Sequence, residues 1–181
     1  MPTSLRSANL APTDLLILGP WRTNCRITRE LIAALPPSLW PQRFPGMPRR
    51  TFRMLAAHLH NARSRWIKTL GEPWGIPRPP LVNLHTVTRR SLLGALRESD
   101  AAMEALLTLG LREGGNVPAT PAYVWRNLPL DVGHVLTYFT SHEAHHRGQL
   151  VLAARQLGAP LPAAVTNGLW QWQVQKPKRG R

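Results

Sequence analysis

The chain has 181 residues and a hydrophobic fraction of 43%, with no apolar run near the roughly 20 residues a membrane helix needs, so one soluble domain is expected over residues 1–175. A lone cysteine, Cys25, excludes an internal disulfide and any cysteine-rich metal site, and the N-terminus lacks the apolar stretch of a secretion signal, which points to the cytoplasm. The net charge of +14 comes from 20 Arg and three Lys against nine acids; the arginines are scattered, which argues against a specific nucleic-acid interface, and residues 176–181 read as a solvated, disordered basic tail.

In chain order, the first helix is expected over residues 20–35, opened by Pro20 as a first-turn residue and stopped by Pro36-Pro37. Whether residues 14–19 extend it ahead of Pro20 stays open from sequence. A proline-rich connector covers residues 36–48, and a second helix follows over residues 51–70 with Gly71 as its stop. After a loop at 72–80 comes a third helix, residues 87–109, with Thr86 or Thr88 as its N-cap. Residues 110–127 read as a loop holding Gly114-Gly115, and the last helix runs over residues 130–157 to Gly158. Trp170 and Trp172, at i and i+2, cannot share a helical face, so a turn or extended segment with at least one ring packed on the bundle is expected, both rings covering core in preference to facing a substrate. Almost nothing alternates with the period of two that a strand demands. Four amphipathic helices joined by long loops predict an all-α fold, a four-helix bundle with at least one crossover.

Seven histidines are present, three of them in Ser141-His142-Glu143-Ala144-His145-His146-Arg147. Positions i and i+4 of a helix lie about 40° apart and about 6 Å along the axis, so His142 and His146 can reach one ion. On the helical wheel His146 falls inside the apolar stripe of Val135, Phe139, Leu150 and Ala153, His142 falls on its edge, and His145 lies outside. Two buried histidines on one stripe would each need a polar partner, which a shared metal supplies. His142-Glu143-Ala144-His145-His146 also matches the zinc-protease pattern, with Glu143 as general base. That reading lacks a ligand: beyond His146 there is no histidine, aspartate or glutamate.

A third ligand must therefore come from upstream. His134 lies about 12 Å along the axis from His142 and about 18 Å from His146, too far to join both. His85 remains open, but the second helix is the better source. There His58 borders the face of Leu55, Leu59, Ala62 and Trp66, while His60 points about 160° away from His58, so one of the two faces the interior, with His58 favoured. Three nitrogen ligands leave an open coordination position, the arrangement of a reactive site. Zinc suits such ligands best; nickel, iron and manganese are also compatible.

At these residues the sequence resembles the DinB/YfiT-like superfamily of metalloenzymes. The likeness is carried by His142-Glu143-Ala144-His145-His146-Arg147-Gly148-Gln149-Leu150 with Arg155-Gln156-Leu157-Gly158. His58-Leu59-His60-Asn61-Ala62-Arg63, Trp66 and the terminal Leu169-Trp170-Gln171-Trp172 support it. The resemblance implies a four-helix bundle, a homodimer, and one divalent metal held by His58, His142 and His146. Relatives include transferases using bacillithiol and isomerases using mycothiol. It thus implies a metal-dependent enzyme acting on a small molecule, with transfer of a low-molecular-weight thiol to an electrophile as one candidate reaction. A non-catalytic metal-binding stress-response protein is the alternative, and a nucleic-acid binder a more distant one.

Overall fold

Three helices begin at a residue whose side chain closes their first turn. Thr51 accepts from the Met54 N–H, Thr88 from the Ser91 N–H and Asp131 from the His134 N–H, each satisfying a donor the helix cannot pair internally. In the computed structural model, which describes residues 14–173, these caps open α2 (Phe52–Trp66), α3 (Arg89–Arg112) and α4 (Val132–Gln156). α1 (Leu15–Ala34) precedes them, and a short α5 (Ala163–Gly168) follows. The described chain is mostly helical, and no helix among the described residues is long and apolar enough to cross a membrane.

Several boundaries differ from the sequence expectation, each for a local reason. Pro20 sits inside α1 and not at its start. The carbonyl it cannot bond belongs to Leu16, a residue that is 72% exposed in the first turn, where a missing helical bond is not sealed away from solvent. The connector after α1 contains a small antiparallel hairpin, β1 (Arg43–Phe44) with β2 (Met47–Thr51), turned at Gly46 with φ +71°. Phe44 anchors it against Phe52, ring centroids 4.7 Å apart, and strands this short leave no periodic signature. α2 does not stop at Gly71: a π turn (Ile67–Gly71) and a 3-10 turn (Glu72–Trp74) continue it to Gly75, which has φ +79°. α3 runs through Gly110, where a Cβ would come within 2.6 Å of Val132, so this glycine serves close packing and not termination. α4 ends as expected at Gly158: the Ala159 N–H reaches the Ala154 carbonyl and the Gly158 N–H that of Arg155, with Gly158 at φ +71°.

α1 packs against α3 and α4, α2 packs against the same two, and α3 also touches α4. The apolar core between them falls into two clusters. One includes Leu31, Phe52, Leu59, Leu96 and Leu150, and the other Trp21, Ile67, Met103, Val135 and Phe139. Along each helix, polar residues sit between the two: Asn24 and Thr28 on α1, Arg63 on α2, Ser99 and Asp100 on α3, Glu143 and Arg147 on α4, all buried. The tryptophan pair departs from expectation. Trp170 is 83% exposed, and Trp172 is 44% exposed while lying beside Pro20 and Arg26. Neither ring is part of the core, although Leu169 packs against it and Arg26 donates to the Gln171 carbonyl at 2.6 Å. The basic tail at 176–181 lies outside the described residues.

Candidate metal centre

Helix packing brings His58 of α2 to His142 and His146 of α4. The Nε2 atoms of His58 and His142 are 3.2 Å apart, and those of His146 and His142 are 3.1 Å apart. The three rings cross nearly edge to face, with interplanar angles of 64°, 85° and 89°, so they converge on a point and do not stack. Ligands about 2.0–2.1 Å from a tetrahedral zinc would be separated by about 3.3 Å, close to the two spacings His142 makes, and all three ligand atoms lie within 4.8 Å of one another. Among the described residues this trio is the group able to hold a metal ion.

The protonation states suit that chemistry. Burial lowers the pKa of His58 to about 4, and the neighbouring His146 and His142, then Arg50 and Arg65, push the same way. Burial also lowers His142 and His146, each rings beside other imidazoles. At neutral pH the three rings are neutral, as metal ligation requires. Nδ1 of His146 is 2.8 Å from Oε1 of Gln149, which fixes the proton on Nδ1 and directs the Nε2 lone pair at the cluster. Gln149 was not singled out from sequence, although its i+3 spacing from His146 was visible.

The remaining histidines lie elsewhere. His60 is fully buried, and its Nε2 donates to the Pro80 carbonyl at 2.8 Å, fastening α2 to the following loop. His85 is exposed in a turn where its carbonyl accepts from Arg53. His134 pairs with Asp131 at the start of α4 at 2.6 Å, and His145 is exposed at the rim. His142 and His146 themselves are half-buried; the centre of the α4 stripe is taken by Glu143 and Arg147. This corrects the expectation of a buried pair with His142 at the edge of the stripe. An apolar-only wheel places the histidines inside, whereas the buried ions lie further round the helix.

Glu143 is committed to the polar layer. Its carboxylate accepts from Asn24 at 2.8 Å, Thr28 at 3.0 Å and Arg63 Nε at 2.7 Å. Arg63 also bonds Asp100, and its guanidinium lies 4.9 Å over the Trp21 ring. Arg147 donates to Asn24 and Thr28, both at 2.7 Å. Both carboxylate oxygens of Glu143 are thus engaged by α1 and α2, and the side chain is 1% exposed, which argues against the general-base role that the zinc-protease pattern would give it. The residue instead ties α4 to α1 and α2 at the level of His142.

A cleft of about 680 Å³ opens beside His58 and His142. Trp66, Trp125, Tyr138 and Phe139 wall it, with Arg65, Lys68, Thr69 and Asn127 at its polar edges. The π turn carries Lys68 and Thr69, and the Thr69 carbonyl accepts from the Thr120 hydroxyl at 2.6 Å, tying the 113–131 loop over the cleft. Sequence reasoning missed this wall because its residues come from α2, α4 and a loop with no shared spacing.

Comparison with protein families decides the relationship: the model of the DinB family matches residues 1–179. The chain belongs to the DinB family. No curated protein matches it. The match covers the helices that carry the trihistidine cluster and the resemblance read from His142 to Gly158.

Proposed function

We propose that this DinB-family chain is a metal-dependent enzyme acting on a small molecule, with His58, His142 and His146 as the metal ligands. The observation that carries the reading is the gathering of three imidazoles, with Nε2 of His142 at 3.2 Å and 3.1 Å from those of His58 and His146, beside an open cleft. A divalent ion held there, zinc foremost by ligand type, supplies Lewis acidity that lowers the pKa of a thiol or water at the open side. His58 and the α4 pair orient it, Gln149 holds the tautomer of His146, and the aromatic wall excludes water from one side of the reacting molecule. The reaction this arrangement supports best is transfer of a low-molecular-weight thiol to an electrophile. Four long helices, with α1 and α2 each packed mainly on α3 and α4, support a four-helix bundle whose first connection crosses between non-neighbouring helices. A homodimer, which the resemblance implies, is part of this proposal and would be read by light scattering on purified protein.

Elemental analysis tests the centre directly. We expect one divalent ion per chain, lost in His58→Ala, His142→Ala and His146→Ala and retained in His60→Ala. Full occupancy in His146→Ala, or loss in His60→Ala alone, would overturn the ligand set. A panel of small thiols with an aromatic halide electrophile then tests the reaction. Thiol consumption above background that disappears on chelation supports the enzyme. Bound metal without turnover across the panel favours a non-catalytic metal-binding protein.

A further inference from the structure

The walls of the cleft specify the kind of molecule that fits it. Trp66 is the hub of the aromatic side: its ring lies 5.5 Å from Tyr138 and 6.3 Å from Trp125, centroid to centroid. Tyr138 in turn stands parallel to the His142 ring, 6° between planes, so the wall leads straight to the trihistidine centre. Trp125 is 64% exposed and Tyr138 37%, an apolar surface that folding leaves in water although buried positions were available to other rings. Flat ring faces of this kind favour planar, polarisable partners.

The charge at the cleft is of one sign. Arg65 and Lys68 line it, both exposed, and neither pairs with an acid among the described residues. Among the described residues no carboxylate lines it. The uncharged polar side chains there include Asn127 and Thr69, whose hydroxyl already donates to the Arg65 carbonyl at 3.1 Å. A cationic ligand would meet two like charges and no counter-ion, whereas an anion gains from both and from the fork geometry of Arg65.

We propose that the cleft binds a planar aromatic molecule bearing an anionic group, its ring against Trp66, Trp125 and Tyr138 and its anion at Arg65 and Lys68. As the identity of the acceptor in the reaction, this rests on the reading of the trihistidine centre given above; as a binding site, it does not.

Calorimetric titration of the full-length protein tests it with three probes: naphthalene-2-sulfonate, the neutral naphthalene-2-methanol, and methanesulfonate, which has the anion without the ring. Naphthalene-2-sulfonate should bind at least tenfold more tightly than either of the others. Arg65→Gln combined with Lys68→Gln should weaken the sulfonate at least tenfold and leave naphthalene-2-methanol unchanged. Trp125→Ala, an exposed loop position, should weaken both ring-bearing probes, and circular dichroism would confirm that its helix content is intact. Equal affinity for the neutral and anionic rings, or indifference of the sulfonate to the double substitution, would overturn the proposal. The titration is run on zinc-loaded and on chelator-stripped protein. Binding in both is expected, so a failure of the metal assignment and a failure of the cleft assignment give different results.

Discussion

Glu143 occupies the position where a zinc protease keeps its general base, and the fold gives it another task. Its side chain is 1% exposed and holds Asn24, Thr28 and Arg63 at once. Removing one partner of a buried ion pair costs about 3–5 kcal/mol, because the remaining charge stays desolvated. Glu143→Gln should therefore lower stability by about that much, read from the denaturant midpoint, while metal content at low denaturant persists. A general base would show the opposite pattern, lost turnover with unchanged stability. Cys25 makes a second test at this scale. Burial pushes its thiol up to about 12, with Arg63 only partly opposing. The folded state therefore holds the proton more tightly than the unfolded chain, whose cysteine titrates near 9.0. The stabilisation is fully present below about pH 9 and fades as pH rises toward 12. Native protein should resist thiol-specific labelling at pH 8 and react on unfolding, and Cys25→Ala should flatten the alkaline loss of stability. Rapid labelling of the native protein would contradict the burial.

Among the elements, the end of α3 is where a sequence rule and the packing disagree most plainly. A glycine near a helix end is ordinarily a stop, yet α3 continues for two residues past Gly110. The absence of a Cβ there lets Val132 and Val117 close on the helix. Gly110→Ala improves helix propensity but forces overpacking, for which the usual cost is about 1–3 kcal/mol. A drop in melting temperature is expected; a rise would show that Val132 moves aside without penalty. The terminal tryptophans make the converse case. A composition-based view expects them in the core, but with Trp170 mostly in water its removal should cost little. What the segment contributes is Leu169 and the Arg26 contact to the Gln171 carbonyl.

For the molecule as a whole, the charge of +14 is less available than it looks. Arg22 pairs with Glu104, Arg26 with Glu30, and Arg29 and Arg63 with Asp100, while Arg63 and Arg147 are buried. Unpaired charge at the cleft, Arg65 and Lys68, sits beside aromatic rings on a concave surface and not along a stripe that could track a phosphate backbone. Duplex DNA should accordingly bind weakly, without sequence preference, and fade by about 200 mM salt, since counterion release is all that drives it. Deleting residues 176–181 should weaken it further, and His142→Ala should not. Titration of labelled duplex at several salt concentrations reads this; selective binding that survives 200 mM would argue for a nucleic-acid partner.

The helical character, the cap of the third helix as one of two threonines and the i, i+4 histidine pair were legible in the sequence because each depends on neighbours within a turn or two. Thr88 caps through Ser91, three positions on, and His142 and His146 share a face by helical period alone. The choice between His58 and His60 was only half legible: periodicity separates their faces, but which face meets α4 depends on how two helices dock. Burial of Glu143 and Arg147 was hidden for a related reason. A wheel that counts apolar residues places charges outside, and only the arrival of Asn24, Thr28 and Arg63 from other helices makes a carboxylate stable inside. The cleft depended wholly on tertiary structure, since Trp66, Trp125 and Tyr138 become neighbours when the end of α2, a loop and α4 are brought together across dozens of residues. Local sequence determined which side chains could serve; the packing of helices decided which of them meet.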